Sequence, residues 1–254
     1  MKFSIITITY NRGHLIDQTI QSAINQSYNN FEYIIIDDGS NDNTEEIVKN
    51  FNDERIKYYK QDRLGNLSKL TNIGIKKSSG ELIAILDSDD LWHESKLEKI
   101  LEIFKKNQAI NYVTHNIQYF IDKNKLEKPF YKTNQDFFKE SLNDVLTFKI
   151  LPFPIAVFKK ELLNTTNLFN ENFFDGQQDF LLRVASENKI YFIAECLTYM
   201  RIHVNNTSKK VFFQYYKAYY ISVFNLAKKH KISWFQFFNG SIKISIDFIR
   251  RFFS

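Results

Sequence analysis

Residues 81–92 read ELIAILDSDDLW, and the reading of this stretch decides the fold. Leu82, Ile83, Ala84 and Ile85 form an uninterrupted apolar run, the pattern of a short strand buried on both faces of a parallel sheet. The run ends in Asp87, Asp89 and Asp90. Three carboxylates at the end of a buried strand repel one another unless a positive group joins them. A hard divalent cation with the phosphates of a nucleotide meets that need. Asp90 also suits capping of the helix that follows.

The same grammar recurs upstream. FSIITITY (3–10) and FEYIII (31–36) are β-branched runs, and RIKYY (55–59) is a shorter one. Between them, HLIDQTIQSAIN places Leu15, Ile16, Ile20 and Ile24 at helical spacing, and EEIVKNF follows a turn in which Asp42 and Glu45 suit a capping box. LSKLTNIGIKKS reads as a helix ending before Gly80, and SKLEKILEIFKKN as an amphipathic helix with Leu97, Ile100, Leu101 and Phe104 on one face. Alternating strands and helices predict an α/β fold, a mostly parallel central sheet flanked by helices. Between Ile110 and Lys149 the periodicity is mixed, with strand-like INYVTHNIQYF ahead of a polar loop. PIAVFKKELL reads as strand then helix, DFLLRVASENK as a helix and IYFIAECLTYMRIH as a strand ending near His203.

The chain has 254 residues, 44% of them hydrophobic, enough for one large domain or a domain with an appendage. The lone cysteine, Cys196, fits a reducing compartment. MKFSIITITYNR lacks the features of a signal peptide, and no apolar run approaches the roughly 18 residues of a spanning helix, so a cytoplasmic location is expected. The net charge of +5 is uneven. Nine Lys and Arg against one Asp give residues 209–254 a charge of +8, and the preceding 208 residues carry −3. An acidic body without basic patches near its polar turns argues against a nucleic-acid partner.

Three polar clusters follow the strands: TYN after the first, DDGS after the second and DSDD after the fourth. In open α/β sheets ligands bind beyond the carboxyl ends of the strands, so these distant clusters converge on one crevice. Tyr10 offers a ring for stacking on a base, and Asp38 can accept hydrogen bonds from a base or a ribose. Neither GxxxxGK[ST] nor GxGxxG occurs, so P-loop and dinucleotide-binding readings have no support.

Taken together, SIITITYNR, FEYIIIDDGSNDNT, NIGIKKSSGELIAILDSDDLW and YMRIHVNNTS resemble the family-2 glycosyltransferases over about residues 3–208. The resemblance implies a GT-A catalytic domain (1–208) followed by a basic, aromatic helical tail (209–254). It implies an inverting, metal-dependent enzyme that moves a sugar from a nucleotide-diphosphate sugar, UDP-linked, to an acceptor hydroxyl in surface-glycan synthesis. Thr9, Tyr10, Asn11, Asp38, Asp87 and Ser88 then fall at nucleotide-contacting positions, and Asp89 and His203 at positions that hold Mg²⁺ or Mn²⁺. The family's general-base segment corresponds to QDFLLRVA, and Asp179 is the first choice of base, with Asp175 the alternative. Aligned on Arg183, the family's acid falls instead on Gln177, which leaves open a nucleotide-sugar-binding protein without catalysis. Thr71 stands where the family often has Arg, with Arg63 or Lys69 available to compensate.

The tail sequence SWFQFFNGSIKISIDFIRRFF places Trp234, Phe238, Ile242, Ile246, Ile249 and Phe253 on one helical face, with Gln236, Asn239, Lys243, Asp247 and Arg250 opposite. This suits peripheral attachment to the inner face of the cell membrane, where a lipid-linked acceptor would lie, or packing onto protein.

Overall fold

The computed structural model describes residues 1–122, 125–139, 142–146, 155–203 and 212–252. Strands β1 (Phe3–Thr9), β2 (Phe31–Asp37), β3 (Ile56–Lys60) and β4 (Leu82–Ile85) pair in parallel in the order β3-β2-β1-β4. Helices α1 (Ile16–Ile24), α2 (Thr44–Lys49) and α3 (Leu67–Lys77) connect them. After β4, the two-residue β5 (Leu91–Trp92) leads into α4 (Lys96–Lys106) and the long β6 (Tyr112–Asp122). Then come β7 (Lys125–Pro129), β8 (Phe137–Lys139), α5 (Leu142–Leu146), β9 (Val157–Lys159), α6 (Leu163–Thr166), α7 (Gln177–Ala185) and β10 (Ile190–Arg201).

The sheet continues β4-β9-β6-β10-β5, with β9 antiparallel to both neighbours and β6 parallel to β10. Along the path from β3 to β10, only β9 therefore runs against the rest. Each central strand is buried on both sides because helices cover both faces. Phe3, Ile5, Tyr33, Ile35, Leu82 and Ala84 join one core with α1 and α4. Their alternate neighbours Ile6, Ile34, Ile36, Ile83 and Ile85 join a second core with α3 and α7. This is why the runs look continuously apolar rather than alternating.

α3 approaches the sheet closely at Gly74, where an added Cβ would lie 2.6 Å from Ile6 Cγ2. The capping box expected at α2 does not form. Asp42 instead accepts from Thr44 N and, through its other oxygen, from Gly13 N, while Glu45 pairs with Lys49 and Lys60. Those lysines offer charge that a backbone N–H does not.

The tail forms α8 (Phe212–Lys228) and α9 (Trp234–Phe252). Tyr216, Tyr219, Val223, Leu226 and Ile244 are buried in the α3–α7 core, so the tail packs on the body. Tyr219 Oη donates to Leu146 O at 3.0 Å, and Tyr215 Oη to Gln178 Oε1 at 3.1 Å. The expected boundary at 208/209 lies outside the described residues. Among the described residues, no helix is long and apolar enough to cross a membrane.

Candidate active site

The parallel register places the ends of β1 and β2 side by side, Thr9 opposite Asp37, and Asp38 N donates to Thr9 O at 2.9 Å. β4 ends on the other side of β1, with Leu86 N donating to Ile6 O and Thr7 Oγ1 to Leu86 O. The three polar clusters thus meet along one edge. β10 reaches that edge because β5 pairs with it antiparallel, Trp92 opposite Thr198 and Leu91 opposite Tyr199. This short pairing draws the DSDD turn onto the end of the long strand β10.

Carboxylate oxygens of Asp87, Asp89 and Asp90 lie within 4.8 Å of one another. Burial pushes the Asp87 and Asp90 carboxyls well above the ordinary range. Neighbouring acids add to this: Asp90, Asp89 and Asp175 act on Asp87, and Asp89 on Asp90. His203 Nε2 stands 2.9 Å from Asp89 Oδ2, and Arg12 Nε 3.6 Å from the same oxygen. Asp90 does not cap α4. Its Oδ1 accepts from Arg201 N at 2.9 Å, while Arg201 Nε donates to Asp89 O. Crowded hard oxygen donors whose repulsion raises their own proton affinity fit a divalent cation. Behind them, the wholly buried Lys96 donates from Nζ to Thr198 Oγ1 at 3.1 Å and lies 4.0 Å over the Trp92 ring. Burial lowers its pKa far below the usual lysine value, with Asp90 pulling the other way.

On the nucleotide side, the Arg63 guanidinium lies 3.5 Å over the Tyr10 ring and pairs with Asp38. Asp38 Oδ1 also accepts from Leu64 N at 2.7 Å and its Oδ2 from Gly65 N at 3.0 Å. The positive φ of Gly39, +76°, turns the chain tightly after Asp38 and packs it against the Arg63 backbone. Thr9 Oγ1 is buried with no hydrogen-bond partner. Asn11 serves the neighbouring turn: its N–H donates to Ser40 Oγ, and its Oδ1 accepts from Asn41 N. Ser88 is buried within the acidic turn.

The two candidate bases have different surroundings. Asp179, the first choice, does not face the crevice. Its Oδ1 accepts from Ser222 Oγ on α8 at 2.7 Å, and its Oδ2 from Arg183 Nε at 2.8 Å. It lines a separate cleft of about 290 Å³ between α7, α8 and the segment from Thr166 to Asn170. Asp175, just before α7, is near enough to Asp87 for its charge to raise that carboxyl. Burial pushes Asp175 itself up to about 6, against the opposing hydrogen bond from Gln177 N. The segment before it is clamped by α3. Asn66 Nδ2 donates to Phe173 O, Ser68 N to Phe174 O, and Asn72 Nδ2 to Phe169 O.

Sequence reasoning gave no role to Arg12, Lys96 or Arg201. Arg12 stands in TYNR and Arg201 in YMRIH, both at strand ends, and that position was the available signal. Arg12 meets Asp89, Lys96 meets Thr198 and Arg201 meets Asp90 across separations of 77, 102 and 111 residues, which no local pattern reveals.

An acid-rich crevice at the carboxyl edge of a mostly parallel sheet, completed by a late strand, defines the GT-A class of fold. The crystal structure of S. aureus TarS 1–349 in complex with UDP-GlcNAc superposes with a TM-score of 0.74 at 20% identity, covering 91% of this chain and 69% of that one. Residues 4–166 match the family described as Glycosyl transferase family 2, and the chain belongs to that family. An uncharacterized glycosyltransferase of Rickettsia bellii is 36% identical over 218 residues, 82% of this chain and 30% of that protein. The GalNAc(5)-diNAcBac-PP-undecaprenol beta-1,3-glucosyltransferase of Campylobacter jejuni is 33% identical over 199 residues, 75% of this chain and 62% of that protein. The chain thus spans between about a third and two thirds of the length of these two relatives.

Proposed function

We propose that the protein is an inverting glycosyltransferase that moves a sugar from a UDP-linked donor to a hydroxyl of a lipid-linked glycan acceptor. In this reading it works at the inner face of the cell membrane, in surface-glycan synthesis. The observation that carries the reading is the convergence of Asp87, Asp89 and His203 on one crevice, with Asp175 near enough for its charge to act on Asp87. The UDP-GlcNAc bound by TarS and the undecaprenol-linked acceptor in the name of the Campylobacter relative support the choice of substrates.

Tyr10 and Asp38 bind the base, with Arg63 moving off the Tyr10 ring to admit it, and Thr9 lends its unpartnered hydroxyl. Asp87 and Ser88 contact the ribose, and Asn11 shapes the rim of the pocket. Asp89 and His203 would hold Mg²⁺ or Mn²⁺, which would supply charge neutralisation for the departing diphosphate. Asp175 takes the proton of the acceptor hydroxyl as it attacks the anomeric carbon opposite the diphosphate. A base with a pKa raised toward 6 is ionised at neutral pH and stronger than an ordinary carboxylate. Direct displacement by a single base inverts the anomeric centre.

Loss of catalysis with retained nucleotide-sugar binding is the second reading, favoured by Gln177 at the family's acid position. The two separate on one measurement. Incubation with a panel of UDP-sugars and Mn²⁺ should release UDP, and Asp175→Asn should abolish release while leaving UDP affinity unchanged. UDP binding without release from any donor would favour the second reading.

A further inference from the structure

We infer that the outward face of the α8–α9 pair is a docking surface for an anionic lipid bilayer. α9 is divided into three sectors at about 100° per residue. One sector, with Gly240 and Ile244, is buried on the body: a Cβ at Gly240 would lie 2.9 Å from Tyr219 Oη, and Ile244 is fully buried. A second sector is polar and carries Asn239 and Lys243. The third is apolar yet faces solvent: Trp234 is 50% exposed, Phe235 79%, Phe238 60% and Ile242 60%. A helix that packs through one face has no need of a second apolar stripe unless something else covers it.

The stripe continues onto α8. The ring of Phe224, also exposed, lies 6.2 Å from that of Trp234, and Trp234 lies 6.5 Å from Phe238. Lys217, Lys228 and Lys243 are exposed on the same two helices. Asp247 is the one acid in the whole stretch 209–254. Bulky aromatics flanked by lysines match the boundary between headgroups and acyl chains, and the charge matches anionic headgroups. A second copy of the chain fits less well. A two-fold interface would set this basic patch against itself, since the same patch appears on both sides.

The inference rests on the lipid-linked acceptor for its purpose but not for its test. The full chain is floated with vesicles of equal parts phosphatidylcholine and phosphatidylglycerol, and with phosphatidylcholine alone. The parent should float with the anionic vesicles and only weakly with the neutral ones. Phe235→Ser/Phe238→Ser/Ile242→Ser and Lys217→Glu/Lys228→Glu/Lys243→Glu should each reduce anionic flotation at least ~10-fold, as expected for losing buried apolar area or lipid-facing charge. These positions are exposed, so circular dichroism and UDP affinity should match the parent. Undiminished flotation of either variant, or none by the parent, would overturn the inference. A parent that elutes as a dimer split by the apolar variant would assign the face to a second copy. Because UDP release is read on the same variants, failure of the lipid surface is distinguishable from failure of the transferase reading.

Discussion

His203 Nε2 lies 2.9 Å from Asp89 Oδ2 although 114 residues separate them in the chain. The contact joins the turn after β4 to the end of β10. It exists because β5 registers with β10 and Asp90 accepts from Arg201 N. One protein carboxylate and one imidazole are thereby brought together, the donor types that the proposed cation site needs.

If they share that cation, His203→Ala should weaken Mn²⁺-supported UDP binding roughly 10- to 100-fold, the scale on which such partners tune metal sites. Asp89→Ala should weaken it further. Titration calorimetry with Mn²⁺ and with chelator checks this. The variants and parent should agree once the metal is removed, and agreement in its presence would count against the shared site.

With Asp175 as the proposed base, its titration should set the acid limb of the pH profile. The base works ionised, and its carboxyl is pushed up to about 6 by burial. The transfer rate should be flat above that value and fall tenfold per pH unit below it. A pH–rate series at saturating donor tests this, and a limb near 4 would mean that burial does not hold in the working state.

The same burial has a stability signature of known sign. A carboxyl whose native pKa lies above its unfolded value binds more protons folded than unfolded between the two, so stability falls as pH rises through that window. Asp175→Asn removes the cost of the buried charge. It should raise the melting temperature at pH 7, and the gain should vanish below about pH 4, the unfolded carboxyl's range.

Asp179→Asn should behave in the opposite way. Losing the Arg183 pair and weakening the Ser222 bond should cost about 1–3 kcal/mol in urea unfolding. UDP release per folded molecule should stay within a few-fold of the parent. A collapse of turnover with intact stability would return the base to Asp179.

Gly74→Ala tests the close approach of α3. The new methyl meets Ile6 Cγ2 at 2.6 Å, and overpacking of this kind costs about 1–3 kcal/mol. Pairing it with Ile6→Ala should recover part of that loss beyond additivity in a double-mutant cycle.

The first hundred residues were legible because the central strands β1, β2 and β4 are rich in β-branched and apolar residues, buried along nearly their whole length, and each is soon followed by its polar turn. The parallel register then forces Thr9, Asp38 and the DSDD turn together. β9 was harder to read: three residues wedged antiparallel between β4 and β6 leave too short a pattern to fix direction. The surroundings of Asp179 were not legible because a helix's first turn can present an acid to either side. Which side wins is decided by Ser222, 43 residues downstream. Arg12, Lys96 and Arg201 owe their places to approaches across the whole molecule. The exposed stripe on α9 was visible as periodicity, but periodicity does not say which of two faces meets the body.

The bond between Ser222 and Asp179 couples the tail to the helix whose preceding segment carries Asp175. With α8 resting on a bilayer, the proposed base would stand at a set height above the headgroups. Only acceptors whose hydroxyl projects to that height would be served. Selection would then act as a ruler does, by how far a glycan stem extends from its lipid as well as by which sugar ends it.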